Sequence, residues 1–238
     1  MQSTGALTLV DAVYPRTGVF ARDLLREAVL ILGFAGFVAL CAQVAIRLPW
    51  TTVPITGQTF AVLVTGGALG GWRGAGALTA YMVMGMVGLN VFAPGNSATV
   101  GTWDIHLILP WKGLHGLPLE MSSFGYIVGF IPAAALVGYL AEHLQWDRKP
   151  WIHLGMLLGN VVVYIPGLLW LAYLIGSGWV HPAAGKPLAD LITVGEGTWG
   201  KTLAGGLYPF IVGDLMKLFL ASLTLPTAWA VVSRVRRQ

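Results

Sequence analysis

Six apolar segments constrain this chain most, because most of them are as long as a helix that crosses a lipid bilayer. A transmembrane helix needs about 20 predominantly apolar residues. The segments cover residues 24–46, 58–72, 74–92, 124–144, 151–175 and 202–232. The second is shorter than a spanning helix requires, so its start is expected in a folded-back loop. The pattern predicts an all-α integral membrane protein built as a bundle of six transmembrane helices.

The composition supports a membrane location. Only 10% of the 238 residues are charged and the mean hydropathy is +0.73, whereas a soluble domain carries about 25% charged residues. The one cysteine, Cys41, lies in an apolar segment and excludes a disulfide framework. No linker divides the chain, so residues 1–238 are expected to form a single domain surrounded by membrane lipid. No basic patch interleaved with aromatic residues lies outside the apolar segments, which argues against a nucleic-acid partner.

Lys and Arg are divided unequally between the two sides of this bundle. Counted by loop, one side receives nine of them and the other side four: Arg16, Arg22, Arg26, Arg73, Arg148, Lys149, Arg234, Arg236 and Arg237 against Arg47, Lys112, Lys186 and Lys201. Cytoplasmic loops carry the excess of positive charge. We therefore expect both termini in the cytoplasm and the long loops 93–123 and 176–201 outside the cell.

An acid and a base lie three residues apart within the sixth apolar segment. Asp214 and Lys217 share one face of a helix, so their charged groups can meet the same cavity. Ionisable groups inside a membrane are costly, and each one is by default a candidate functional site. The alternative from these two residues alone is a structural ion pair between helices, as expected of a purely structural membrane subunit.

Further polar groups lie close to, or within, the apolar segments. Thr56 and Gln58 belong to Val53–Phe60 (VPITGQTF), in which Pro and Gly break the helix. Non-helical backbone at membrane depth is tolerated where it lines a cavity, although a plain outer turn remains open. Asn160 and Tyr164 share a face of the fifth segment, and Asn90 ends the third. Such groups must find partners in a bundle or face a pocket.

Residues Gly195–Thr202 match the phosphate-loop pattern G-x4-G-K-T. A working phosphate loop needs a strand before it and a helix after it within an α/β domain, whereas here at most one short element precedes the loop and a membrane span follows it. We interpret the segment as a turn with Thr198 or Thr202 as the N-cap of the sixth helix. A membrane enzyme or ATP-binding protein using this loop is the rival hypothesis. No catalytic motif or metal-ligand spacing is evident among the five histidines, so neither a metal nor a cofactor is predicted.

Several motifs together resemble the BioY family, the biotin-specific S components of energy-coupling-factor (ECF) transporters. They span most of the chain in the family's order and comprise Val53–Phe60, Gly85–Ala93 (GMVGLNVFA), Gly125–Phe130 (GYIVGF), Asn160–Tyr164 with Gly167, Trp170 and Leu171, and Pro209-Phe210 with Gly213-Asp214 and Lys217. The resemblance implies the six-helix S-component fold, high-affinity biotin binding near the outer face, and uptake across the bacterial cytoplasmic membrane rather than enzymatic activity. An S component for a different small vitamin is the alternative.

The resemblance also implies roles for particular residues. The expected substrate-binding residues are Asp214, Lys217, Asn160, Tyr164, Tyr126, Gly125, Gln58, Thr56 and Asn90. Asp214 is assigned to the ureido end of biotin. Lys217 would meet the ligand's carboxylate or pair with Asp214, and the sequence leaves both open.

In such transporters the S component associates with a T membrane subunit and two ATP-binding subunits, although some members are thought to act without a dedicated module. The first segment contains Ala35 and Ala39, and small residues four apart allow close helix approach. The spacing alone is equally typical of packing within the bundle. The resemblance makes these two alanines the expected docking surface for the partner subunits.

Overall fold

The computed structural model describes residues 8–94, 103–149 and 151–235, and these are mostly helical. The α-helices in chain order are α1 Leu9–Val13, α2 Phe20–Ala42, α3 Gln58–Leu69, α4 Gly71–Met86, α5 Phe124–Leu144, α6 Ile152–Gly176, α7 Leu188–Leu191, α8 Gly197–Gly206 and α9 Ile211–Val235. Short 3-10 helices occupy Pro118–Glu120, Trp146–Arg148 and Tyr208–Phe210.

Four helical segments in the described part of the chain are long and apolar enough to cross a membrane. They are Phe20–Ala42, Phe124–Leu144, Ile152–Gly176 and Gly197–Val235. Helix α3 has 12 residues and α4 has 16. At about 1.5 Å per residue, each of these two is shorter than the roughly 30 Å hydrocarbon core. The fold is that of a multi-pass helical membrane protein.

The helix ends define two opposite faces of the bundle. At the first, which we call the arginine end, the turn between α3 and α4 meets the end of α5, and the turn between α5 and α6 meets the end of α9. At the second, which we call the loop end, α3, α5 and α9 begin and α2, α4 and α6 finish. Helix α5 lies at the centre, packed against α3, α4 and α6.

The hairpin of α3 and α4 turns at glycine because no other residue fits. Gly70 has φ +89°, and a Cβ there would lie 1.9 Å from the Glu142 carboxylate. A Cβ on Gly138 of α5 would lie 2.3 Å from the Gly70 backbone. Glu142 accepts a hydrogen bond from the Gly71 amide at 3.2 Å, which satisfies one of the free N–H groups where α4 begins.

The sixth apolar segment, predicted at 202–232, contains a break that the sequence analysis did not anticipate. Helix α8 ends at Gly206, Leu207 leaves helical geometry with φ −127° and ψ −61°, and α9 begins only at Ile211. Pro209 lies in the short 3-10 turn between them. Because proline has no N–H to continue a helical ladder, it is compatible with this turn and with the start of a new helix.

The phosphate-loop pattern forms a turn, but its predicted capping was wrong. Gly195 and Gly197 adopt φ +84° and +62°, and α8 begins at Gly197 with no side-chain cap. Thr198 and Thr202 lie inside α8, where the Thr202 hydroxyl donates to the Thr198 carbonyl at 2.8 Å. Lys201 donates to the Ala189 carbonyl, and the element before the loop is helix α7 rather than a strand.

The prediction of an all-α chain missed two small sheets. Strands β1 Ala45–Arg47, β2 Ile55–Thr56 and β3 Asp104–His106 pair antiparallel in the order β2-β1-β3 at the loop end. Strands β4 Val180–His181 and β5 Lys186–Pro187 form a separate ribbon. Two or three residues are too few to show the alternation by which a strand is recognised in sequence.

The predicted docking surface lies inside the bundle. Ala35 is fully buried and Ala39 is 3% exposed, and both belong to the core that α2 forms with its neighbours α3 and α4. Of the two interpretations of their spacing, helix packing within the chain is the one that the structure supports. The prediction that Ala35 and Ala39 form an outward docking face is therefore wrong.

A buried ionic cluster, which we call the arginine network, joins α1, α2 and α4 at the arginine end. It consists of Asp11, Arg26, Glu27 and Arg73. Arg26 contacts Asp11 at 2.7 Å and Glu27 at 2.8 Å, and Arg73 contacts Asp11 at 2.9 Å and Glu27 at 2.6 Å. The arginine side chains are 1% and 3% exposed. Burial opposes ionisation of Asp11, but its bonds from Arg73, Thr8 and Arg26 lower its pKa overall.

Candidate ligand-binding site

A cavity lies between the helices at the loop end. Its atom-free space measures about 580 Å³, which includes a part open to solvent. The wall residues come from the segment before α3 and from α3 itself, from the loops before and after β3, from α5 and α6, and from the 3-10 turn before α9 together with α9: Val53, Pro54, Thr56, Gln58, Thr59, Phe92, Ala93, Met121, Ser123, Tyr126, Ile127, Phe130, Val163, Tyr164, Phe210, Asp214 and Lys217.

The acid–base pair, Asp214 and Lys217, lines this cavity from the first two turns of α9. Their charged groups lie 2.5 Å apart, with side chains 5% and 15% exposed. The i, i+3 spacing brings the two side chains together on one helix face. The pair is therefore a local contact within α9, and it does not join two helices as the structural interpretation required.

Asp214 is held from two other helices. Its Oδ1, which meets Lys217, also accepts from the Thr59 hydroxyl of α3 at 3.1 Å, and its Oδ2 accepts from the Tyr164 hydroxyl of α6 at 2.5 Å. A carboxylate has about four acceptor positions. Bonds from the described residues occupy three of them, and one on Oδ2 remains for another donor.

Lys217 is anchored in the same way. Its ammonium group donates to Asp214 and, at 2.8 Å, to the backbone carbonyl of Thr56. An ammonium group has three N–H donors. Within residues 8–94, 103–149 and 151–235 one donor has no acceptor, so the pair as a whole offers one acceptor and one donor next to each other.

Two tyrosines form the aromatic wall beside the pair. The rings of Tyr126 and Tyr164 meet edge to face with centroids 6.0 Å apart. The Tyr126 hydroxyl donates to the Gly206 carbonyl at 2.7 Å, which satisfies a carbonyl at the end of α8. A Cβ on Gly167 would lie 2.3 Å from the Tyr126 ring, so glycine on α6 is what admits this ring between the helices.

Thr56 ends β2 and Gln58 begins α3, and both line the cavity. The Thr56 hydroxyl donates to Gln58 Oε1 at 2.8 Å. Gln58 Nε2 donates to the hydroxyl of the fully buried Tyr81 at 2.7 Å. These bonds fix both side chains, so the non-helical backbone of Val53–Gly57 forms a rigid part of the wall.

Three predicted site residues do not line the cavity. Gly125 allows α5 to approach α6, since a Cβ there would lie 2.4 Å from the Pro166 carbonyl. Asn160 is buried one turn from Tyr164, and its Oδ1 has no hydrogen-bond partner among the described residues. Asn90 lies in an exposed turn, where its Oδ1 is 2.6 Å from His115 Nδ1. The structure thus groups Asp214, Lys217, Tyr164, Tyr126, Gln58 and Thr56, and separates these three.

Four further residues line the cavity but were not among the predicted site residues, namely Thr59, Phe92, Met121 and Phe210. Thr59 and Phe92 fall within the quoted motifs, and Phe210 lies four positions before Asp214, which is one helical turn. Position within a motif was therefore an available signal for these residues. Met121 offered none, because its place in the wall depends on how the chain between β3 and α5 folds over the bundle.

The site is equipped for binding rather than for metal chemistry. No group of three or more His, Cys, Asp and Glu side chains within residues 8–94, 103–149 and 151–235 could hold a metal ion. A polar pair at the wall of an otherwise largely aromatic and aliphatic cavity orients a small ligand, since a few placed polar groups provide specificity in an apolar pocket.

Fold and site together define a class, namely a multi-pass helical membrane protein with a charged pair facing a small-molecule cavity. Within that class the chain belongs to the BioY family, whose model matches residues 11–103 and 109–234. The resemblance found in the sequence is thereby confirmed.

Related proteins and a solved structure agree with this assignment. The probable biotin transporter BioY of Lysinibacillus sphaericus is 29% identical over 208 residues, which cover 87% of this chain and 89% of that protein. The biotin transporter BioY of Rhodobacter capsulatus is 30% identical over 179 residues, covering 74% and 78%. A crystal structure of the S-component for biotin from an ECF-type ABC transporter superposes with a TM-score of 0.58 at 19% identity, covering 91% of this chain and 94% of that one. This last similarity shows the S-component type of fold.

Proposed function

We propose that this protein binds biotin at the loop-end cavity and takes it up across the bacterial cytoplasmic membrane, with biotin as transported ligand rather than cofactor. It does so as the S component of an ECF transporter or without a dedicated energising module. The observation that carries the proposal is the free acceptor and the free donor that Asp214 and Lys217 hold side by side at the cavity wall. Family membership and the names of the relatives support it.

The ureido ring of biotin matches this arrangement. One N–H of the ring donates to the remaining position on Asp214 Oδ2, and the adjacent carbonyl accepts the third N–H of Lys217. Both bonds involve an ionised partner, and such bonds are roughly twice as strong as neutral ones. Of the two roles left open for Lys217, this assigns it the pairing with Asp214 together with a bond to the ureido carbonyl. The thiophane ring and the aliphatic tail then pack against Phe92, Met121 and Phe210.

The orientation follows the distribution of positive charge. The arginine end carries Arg16, Arg26, Arg73 and Arg148, and we assign it to the cytoplasm by the excess of Lys and Arg there. The start and the end of the described chain both lie at this end, since α1 packs against α9. Both termini are then cytoplasmic, the cavity faces outward, and α2, α3, α4, α5, α6 and α9 form a six-helix bundle.

Energy for uptake must come from other chains if ATP is used. Lys201 of the phosphate-loop pattern is bonded to a backbone carbonyl, and the preceding element is a helix. A T membrane subunit and two ATP-binding subunits are the partners that an ECF assembly supplies. No nucleic-acid partner and no enzymatic activity belong to this proposal.

Calorimetric titration of biotin into detergent-purified protein tests the ligand and the pair together. Asp214→Asn removes an ionised acceptor, and loss of a hydrogen bond to a charged group costs about 1.5–3 kcal/mol, or roughly 10- to 150-fold in affinity. Asp190→Asn is the matched control, because Asp190 is exposed outside the cavity. If the folded wild-type protein binds another vitamin but not biotin, the proposal is wrong and the alternative, an S component for a different small vitamin, replaces it.

A second titration distinguishes the two ends of biotin. Biotin amide keeps the ureido ring but lacks the charged carboxylate. If Lys217 serves the ureido carbonyl, Lys217→Met weakens biotin and biotin amide by the same factor. A loss confined to biotin would place the carboxylate at Lys217 and reverse the proposed orientation.

A further inference from the structure

The arginine end also contains a buried carboxylate, Asp147, that does not belong to the arginine network and lies far from the ligand cavity. Asp147 belongs to the 3-10 turn between α5 and α6 and is 3% exposed. Its Oδ2 accepts a hydrogen bond from the indole Nε1 of Trp229 on α9. The Arg148 guanidinium lies over the Trp229 ring, 3.5 Å from its centroid. This contact between the α5–α6 turn and the last turns of α9 is hereafter the Asp147–Trp229 clamp.

The other oxygen of Asp147 is buried without a donor. Oδ1 has no hydrogen-bond partner within the described part of the chain. Asp147 lines a small space of about 200 Å³, part of it open to solvent, whose other walls include Val137, Met156 and Leu225 from α5, α6 and α9. A buried ionised oxygen without a donor is costly, so either the group binds a proton or the structure opens to admit water.

The charges around Asp147 are few. Arg148 is the one described charged residue that faces it, with Nε 3.7 Å from Oδ2, beyond hydrogen-bond length. The lining residues from α3, α5, α6 and α9 are all uncharged. Burial raises the pKa of Asp147, and the Trp229 bond, the Arg148 guanidinium and the Asp147 backbone amide offset this only in part.

We propose that Asp147 is a proton-binding site, and that its protonation state controls how firmly the clamp holds the C-terminal part of α9. With the proton bound, the carboxyl group is neutral, keeps the bond from Trp229 and suits the apolar walls. When the proton leaves to water, the charge remains on a buried oxygen that lacks a donor. Separation of the α5–α6 turn from α9 then admits water and relieves that cost.

Hydrogen exchange of the amides of residues 227–235 tests the clamp directly. Protection is measured at pH 5 and pH 8 and corrected for the intrinsic exchange rate at each pH. We expect wild-type protection to fall at least several-fold from pH 5 to pH 8. In Asp147→Asn, which cannot ionise, we expect it to be the same at both. Asp190→Asn, which removes an exposed carboxylate, should behave like the wild type.

Two further measurements keep the proposal open to contradiction if Asp147→Asn is unstable. Trp229→Phe removes the donor and should lower protection of the same amides at pH 5, which leaves a smaller further loss between pH 5 and pH 8 than in the wild type. Infrared spectra should contain a protonated-carboxyl band that titrates above the usual aspartate range and is missing in Asp147→Asn. Equal loss of protection in wild type and Asp147→Asn, or a band unaffected by the substitution, would overturn the proposal.

Discussion

The two charged clusters of this protein both contain acidic and basic side chains, but they differ in how many of their hydrogen-bonding positions are filled. In the arginine network at one end, Glu27 receives bonds from Arg16, Arg26 and Arg73, and Asp11 accepts from both buried arginines. The backbone carbonyls of Tyr14 and Leu69 accept further N–H groups of these two arginines. At the other end, Asp214 and Lys217 each keep one hydrogen-bonding position unfilled, and the pair borders a cavity. A satisfied network stabilises the fold, whereas a partly satisfied pair beside a cavity is suited to bind a ligand.

The largest effect should come from breaking the arginine network. Arg73→Met leaves Asp11 and Glu27 with fewer donors in a buried site, and removing one partner of a buried ion pair costs about 3–5 kcal/mol. We expect a marked fall in the thermal midpoint, with unchanged biotin affinity of the protein that remains folded. Arg22→Met is the matched control, because Arg22 is exposed on α2. A large loss of affinity in folded Arg73→Met protein would mean that the two ends are not independent.

Tyr164→Phe should affect ligand binding more than stability, which is the opposite of the effect expected of Arg73→Met. It removes the 2.5 Å bond to Asp214 Oδ2, and a hydrogen bond to a charged group is worth about 1.5–3 kcal/mol. We expect biotin affinity measured by calorimetry to fall by roughly tenfold or more, with little change in the thermal midpoint. Tyr173→Phe on the same helix is the control, since Tyr173 is 61% exposed. Equal effects of the two substitutions would remove Tyr164 from the site.

Thr59→Val should give a smaller effect on the same pair. The Thr59 bond to Asp214 is 3.1 Å long, and an ordinary hydrogen bond contributes about 0.5–1.5 kcal/mol. A loss of affinity of roughly two- to tenfold is expected, and Thr59→Ser should retain the wild-type value because it keeps the hydroxyl. If serine and valine weaken binding equally, packing of the Thr59 methyl group rather than its hydroxyl positions the carboxylate.

Low pH should lower the stability that the arginine network contributes, and this is the smallest of the expected effects. The pKa of Asp11 is lowered in the folded protein, so its contribution to stability is complete above the unfolded value near 3.9 and is lost as pH falls through the folded value. The thermal midpoint should therefore fall below about pH 4, and Asp11→Asn should flatten that part of the profile. If the thermal midpoint of Asp11→Asn falls below about pH 4 as steeply as that of the wild type, other carboxylates cause the loss of stability.

The sequence predicted those features that depend on residues close together in the chain, such as the span of a helix or a pair on one helix face. The apolar segment 124–144 coincides with α5, and the i, i+3 spacing brought Asp214 and Lys217 together. The hydrogen bond from Thr59 to Asp214 joins residues 155 positions apart, so no local pattern reports it. The same holds for the contact between Arg73 and Glu27, 46 positions apart. Such contacts depend on how the helices pack.

The break between α8 and α9 has an electrostatic consequence for the site. In one continuous helix from Gly197 to Val235, Asp214 would lie in the middle, far from the partial charges that the aligned peptide dipoles place at the helix ends. Because α9 begins at Ile211, Asp214 lies in the first turn of a new helix. The N-terminus of a helix carries roughly half a positive charge from aligned peptide dipoles, and this favours a carboxylate there. The backbone of α9 thus shares with Lys217 the work of stabilising the Asp214 charge, which leaves the lysine freer to engage a ligand.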